Sequence, residues 1–238
     1  MTLPPYHWWR TVFFLIPVIG VYTIVLGTIS ILSSLVDPSG DVGHRCAQLW
    51  ARLILRTTGV RVTVHGGGDL DPAKSYVFAS NHQSIYDIPI VFSALPFQLR
   101  ILAKASLGHV PFLGWHLRRT GHLLVDRKSP GPGIIKKMAR LVAGARSLVV
   151  FPEGTRSVDG SVGRFKRGMF LVAIDAGLPV VPVSIARSRF VMLKGRLMTC
   201  PGEVTITIHD PIPTTGLGHD KARDIADHVR EVVRTAVS

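Results

Sequence analysis

From Thr11 to Val36 the chain runs for 26 residues without a charged side chain. About 20 apolar residues are enough to cross a bilayer as a helix. Trp8, Trp9 and Arg10 stand just before it, the residue types that favour a membrane interface. The run is too long for a cleaved signal peptide, and no Ala-x-Ala-like site follows it. Pro17, Gly20 and Gly27 offer points of bending, so both a spanning helix and one dipping into a single leaflet stay open. Asp41 to Thr58 predicts a second helix, with Leu49, Trp50, Leu53, Ile54 and Leu55 set among Arg45, Arg52 and Arg56. That mixture fits a helix at an anionic surface, or a hairpin capping a folded domain.

Beyond Gly59 the pattern shortens. Apolar runs bounded by Gly, Pro or Asp predict strands at Arg61–His65, Ser75–Ser80, Leu99–Ala103, His122–Arg127, Ser147–Phe151, Val180–Ile185 and Val204–His209. Helical spacing appears over Ile88–Ala94, Gly131–Ala145, Lys166–Ala176 and Asp220–Val237. The last puts Ile225, Val229, Val232 and Val233 on one face, as a helix packed on a sheet requires. Strands interleaved with helices predict an α/β fold: a mixed, largely parallel sheet flanked by helices. The expected division is an N-terminal hydrophobic helical membrane anchor over residues 1–58 and one α/β domain over 59–238.

Composition sharpens this picture. Of 238 residues, 47% are hydrophobic and 18% charged, against roughly 25% charged in an average domain. Disorder is excluded by the hydrophobicity. The formal charge is +13, and the 70 residues from Gln98 to Arg167 hold +11 of it. Such a field gathers phosphates on nucleic acid, lipid headgroups or a nucleotide-like carrier. Cys46 and Cys200 are too few and too far apart for a disulfide scaffold or a four-ligand zinc site, and are expected to be buried free thiols.

Two polar segments follow predicted strands. Asn81-His82-Gln83-Ser84-Ile85-Tyr86-Asp87 comes directly after Ser75–Ser80, at the strand edge where open α/β sheets bind ligands. Across a loop entering a helix, Asp87 can fold back on His82, hold one ring proton and leave the other nitrogen to accept one. That is a general base with its orienter; a capped loop histidine has the same spacing. No Gly-x-Ser-x-Gly elbow, His-Glu-x-x-His site or Walker loop occurs, and no metal is expected. The second segment is Phe151-Pro152-Glu153-Gly154-Thr155-Arg156-Ser157. Its Arg156 is a planar donor suited to phosphate, although a turn with a surface ion pair would also fit.

Taken together, these blocks resemble the glycerolipid acyltransferase family, and within it the 1-acyl-glycerol-3-phosphate acyltransferases. The Asn-His-x-x-x-x-Asp block is matched by Asn81 to Asp87, and Phe-Pro-Glu-Gly-Thr-Arg-Ser by Phe151 to Ser157. Between them stand Lys104, Leu107, Pro111, Gly114, Gly121 and Arg127 of a third block; Val181-Pro182-Val183 supplies a fourth. The likeness covers roughly residues 45–210 in the right order, and no block departs from the pattern.

The resemblance implies that His82 deprotonates a lysophospholipid hydroxyl, with Asp87 orienting it. The oxygen then attacks an acyl thioester, of coenzyme A or of acyl-carrier protein, with no other cofactor. Lys104 and Arg156, with Arg127 as a third cation, would hold the acceptor's phosphate. Asn81, Glu153, Gly154 and Thr155 would shape the acceptor site, and amides near His82 would stabilise the oxyanion. The expected product is phosphatidate, made by acylating the sn-2 hydroxyl of 1-acyl-glycerol-3-phosphate. Another lyso-lipid acceptor is the alternative, and a basic nucleic-acid-binding protein the distant one. The expected partners are the acceptor, the thioester donor and a surface of anionic lipids, not nucleic acid. The expected location is the membrane, with the site on the cytoplasmic face.

Overall fold

The computed structural model describes residues 5–37, 39–125, 133 and 146–237. Arg127 lies outside them, as does almost all of the helix expected over 131–145.

The apolar run is one helix, α1, over Tyr6–Ser33. Its turn at Thr11–Leu15 is of the wide π type, immediately before Pro17, which has no N–H for the helical ladder. Helix α2, Asp41–Thr58, starts after Gly40 and stops at Gly59, both left-handed with φ of 74° and 79°, where a side chain would be strained. Arg45, Leu49, Arg52 and Arg56 form its exposed stripe. Its Ala51, Ile54 and Leu55 join the same core as Phe78, Val149 and Val183 of the sheet.

Seven strands follow: β1 Val60–Gly66, β2 Val77–Ser80, β3 Leu99–Lys104, β4 Leu123–Val125, β5 Ser147–Val150, β6 Val180–Ala186 and β7 Gly202–Ile208. They form one sheet in the order β1-β7-β6-β2-β5-β3-β4. All pairings are parallel except β6 with β7. The central strands are covered on both faces, as parallel strands must be. Phe78 of β2 points into the core shared with α2 and with α3, Asp87–Ala94. Its neighbours Val77 and Ala79 point into the core beneath the later helices. Helix α4, Leu113–Arg119, was not foreseen. It is short and lies among Pro111, Gly114 and Gly121, which read as loop punctuation. A Cβ on Gly114 would sit 2.3 Å from the Gly108 carbonyl oxygen, which explains the glycine of the third block. Helices α5, Gly168–Ala176, and α6, Ala222–Val237, follow later in the chain.

Helix α1 is fastened to the rest of the chain along its length. Arg10 donates to the Thr58 carbonyl at 2.9 Å, Trp50 to the Thr23 hydroxyl at 3.0 Å, and the Thr199 N–H to the Thr11 hydroxyl at 2.8 Å. Near its other end Ser30 hydrogen-bonds His116 at 2.7 Å. The opposite side of α1 is bare: Phe13, Phe14, Val21, Ile24, Val25 and Leu32 are each about half exposed or more. Both cysteines are free; Cys46 is buried as expected, but Cys200 is only half-buried.

Candidate active site

Strand β2 lies between β6 and β5 and runs parallel to both. Their C-terminal ends therefore open on the same edge. The loop after β2 carries His82 and the loop after β5 carries Glu153, so segments 71 residues apart meet there.

His82 is 5% exposed. Its Nδ1–H donates to Asp87 Oδ2 at 2.7 Å, which leaves Nε2 with the lone pair in the neutral ring. One face of the imidazole is covered by Phe151, ring centres 4.2 Å apart at 23°. Asp87 is fully buried in the first turn of α3. Its Oδ2 also accepts the N–H groups of Gln83 at 2.7 Å and Ser84 at 2.9 Å. These bonds fix the carboxylate that holds the His82 ring. Ser84 donates its hydroxyl to the Met192 carbonyl at 3.0 Å and is not aimed at His82.

Two of the residues expected to shape the acceptor site hold backbone in this geometry. Asn81 is fully buried and faces away from the opening: its Nδ2 donates to the Ile185 carbonyl at 2.9 Å, and its Oδ1 accepts the Ile185 N–H at 2.8 Å. It ties the loop to β6 and has no polar atom left for substrate. Glu153 is likewise a strut. Its Oε1 accepts the His82 N–H at 2.8 Å and its Oε2 the Gly163 N–H at 3.0 Å. Burial, first, pushes the Glu153 carboxyl above its ordinary range, while these two N–H groups pull it back. The oxyanion donors expected from the His82 loop are also spent: the amides of His82, Gln83 and Ser84 all serve carboxylates.

Lys104 stands exposed at the end of β3, on the edge that holds His82. Arg156 is half-buried in the loop after β5. Gly154 turns that loop with φ of 73°, where an added Cβ would meet Lys166 Nζ at 2.9 Å. Thr155 is exposed and accepts from Lys194 Nζ at 3.2 Å; the same ammonium donates to the Arg156 carbonyl at 2.6 Å. Lys194 and Phe151 were missed as site residues. A lysine 38 residues along the chain gives no local signal, and the ring reads as an ordinary end of a buried strand.

Behind His82 an apolar cavity of about 220 Å³ opens between α3, α2 and α1, lined by Ile85, Ile88, Phe92, Trp50, Leu26 and Leu113 among others.

Comparison with known proteins identifies the family. The family model described as "Acyltransferase" matches residues 61–186. The mouse 1-acyl-sn-glycerol-3-phosphate acyltransferase alpha is 34% identical over 181 residues, covering 74% of this chain and 64% of that protein. A Chlamydomonas reinhardtii protein of the same enzyme name is 32% identical over 181 residues, covering 74% of this chain and 53% of the relative. The match thus spans less than two thirds of these curated relatives. Among solved structures, the Thermotoga maritima 1-acyl-sn-glycerophosphate (LPA) acyltransferase, PlsC, superposes with a TM-score of 0.76. It shares 24% identity, covering 92% of this chain and 93% of that one, and so supports the fold.

Proposed function

Because the chain belongs to the acyltransferase family, we propose that it acylates the sn-2 hydroxyl of 1-acyl-glycerol-3-phosphate from an acyl thioester, giving phosphatidate. The observation that carries the reading is the buried His82–Asp87 pair at 2.7 Å on the open sheet edge. His82 Nε2 takes the acceptor's hydroxyl proton as its oxygen bonds the thioester carbonyl. The C–S bond then breaks, and the proton passes from His82 to the leaving thiolate. Asp87 stabilises the imidazolium in between. General bases of this kind contribute about 10²–10⁴-fold.

Lys104 and Arg156 share the same edge and supply the charge that holds a phosphate monoester. The apolar cavity offers a place for an acyl chain. The basic run Arg164, Lys166 and Arg167, around an open hollow beyond the Glu153 loop, suits a donor whose carrier arm bears phosphate. The mouse and algal relatives, by their names, act on 1-acyl-sn-glycerol-3-phosphate, which favours that acceptor over other lyso-lipids.

The chain works at a membrane surface, with the site on the cytoplasmic face. The bare face of α1 supports the first part. Covering six half-exposed apolar side chains stabilises by on the order of 6 kcal/mol, comparable with one myristoyl anchor at roughly 5 kcal/mol. The domain touches α1 near both ends, at Thr11 and Ser30. A crossing helix would carry those contacts into hydrocarbon, so α1 dips into one leaflet.

The test is acyl transfer by detergent-purified protein, with lysophosphatidate and long-chain acyl-CoA, then acyl-carrier protein as donor. We expect phosphatidate from the wild type and a loss of at least about 100-fold in His82→Ala. Undiminished product in the variant would remove His82 as base. Equal rates on a headgroup-bearing lysophospholipid would refute the phosphate-monoester assignment.

A further inference from the structure

On the opposite edge of the sheet from His82, three arginines converge, none in an ion pair with a carboxylate among the described residues. Arg100 is the second residue of β3, Arg146 immediately precedes β5, and Arg119 ends α4. Together with Ser30, Ser33 and Ser34 at the end of α1 and the turn to α2, they line a polar cavity of about 130 Å³. A water's share of liquid volume is about 30 Å³, so the space fits a tetrahedral anion.

We propose that this cavity binds a phosphate group, free or carried on a lipid headgroup. Arg100 is only 2% exposed. Its Nη1 donates to the Leu99 carbonyl at 2.9 Å and its Nη2 to Gln98 Oε1 at 3.0 Å, but its buried Nε has no partner. Arg119 reaches only the Ser34 hydroxyl, at 3.1 Å. Arg146 donates to Gln98 Oε1 at 3.2 Å and to the Ser39 carbonyl at 3.0 Å. Among the described residues none of the three forms an ion pair. Burying cations without a counter-charge is costly, and an anion in the cavity removes that cost. Burial and then the neighbouring Arg146 charge hold Arg100 down to about 10, against the smaller opposing pull of the Asp41 and Asp37 charges.

One carboxylate also lines the cavity, that of Asp37, and it is turned to its own loop. It accepts the Ser39 hydroxyl and the N–H groups of Gly40 at 3.1 Å and Val42 at 2.8 Å. The lining therefore keeps a positive excess. The wall is closely fitted: a Cβ on Gly43 would meet Thr120 Cγ2 at 2.7 Å and Ser30 Oγ at 2.9 Å, and one on Gly40 would meet Arg100 Nη2 at 3.1 Å. The cavity lies where the apolar helix ends, a place for a headgroup phosphate.

Equilibrium dialysis of full-length protein in detergent against radiolabelled inorganic phosphate at low salt tests this. Lys104→Ala/Arg156→Ala serves as background, so that phosphate held at the catalytic edge does not count. One saturable phosphate is expected there, weakened tenfold or more by adding Arg119→Gln/Arg146→Gln. The exposed Arg119→Gln alone serves if the double change does not fold. No saturable phosphate in the background, or binding untouched by the glutamines, overturns the proposal. Vesicles of phosphatidylcholine with phosphatidylglycerol then separate the sources. Displacement of bound phosphate by them assigns a headgroup, and its absence assigns free phosphate. Either result is independent of whether acyl transfer is the reaction.

Discussion

Replacing Glu153 with Gln separates a strut from a substrate contact. The carboxylate holds two loops through two charge-assisted bonds, 2.8 Å to the His82 N–H and 3.0 Å to the Gly163 N–H. Glutamine keeps one acceptor and sets an amide N–H against the other donor. One such bond and its unpaired partner amount to about 2–3 kcal/mol. Little of that reaches global stability if the loop alone loosens. It reaches His82, whose backbone is one end of the bond and whose C=O also accepts the Ser157 N–H at 2.8 Å. If the loss goes into the population of the correctly placed imidazole, kcat falls about 30- to 150-fold. Displacement of a catalytic group by 1 Å alone costs about 10²-fold. The assay is the initial rate of thiol release from acyl-CoA over a range of lysophosphatidate concentrations. We expect kcat to carry the loss and KM to stay within about threefold. A KM raised tenfold with kcat kept would mean that Glu153 touches the acceptor, and would refute the strut.

Two further outcomes follow from buried polar groups. Asn81→Ala leaves the Ile185 N–H and C=O buried and unpaired, at about 3 kcal/mol in all. Thermal unfolding should drop by roughly 6–12 °C, and a shift under about 2 °C would deny Asn81 its fastening role. His44 and His116 are held near 4, chiefly by burial, and His122 is held well below its ordinary value for the same reason. Unfolding returns each to about 6.5, so between 6.5 and 4 the unfolded chain takes up protons that the folded chain refuses. Stability is therefore full above pH 6.5 and falls as pH drops, by about 3 kcal/mol for each of His44 and His116 at pH 4. Denaturant midpoints measured from pH 7 to 4 check this; a flat profile would refute it.

The strands were legible because each is a short apolar run closed by Gly, Pro or a charge. All seven expected strands are present, with their described ends within two residues of those expected. The contact between His82 and Asp87 was legible because the two lie within one loop and one helical turn. What sequence could not supply was direction. Asn81, Glu153 and Arg156 look alike as polar residues beside a base, yet the first two point at backbone from segments 104 and 71 residues away. Their partners are main-chain groups, which every residue has, so no residue type marks them. The same holds for Arg100: in so basic a stretch nothing in the sequence marks it as buried, and only the β3 register turns it inward. Helix α4 was hidden because Gly114 serves a close backbone approach, while in a sequence it reads as a break.

The bond between Thr11 and Thr199 joins residues 188 apart, and this sets an order of events during synthesis. At about 5–20 residues per second, the first of these residues precedes the second by about 10–40 s. For most of that interval α1 is complete, while β6 and β7 have yet to be made to finish the sheet. A helix with an apolar surface meets lipid well before it meets its own domain. On the proposed reading, the edge that carries His82 closes only after α1 has met the bilayer, so the membrane would take part in assembly as well as serve as the place of work.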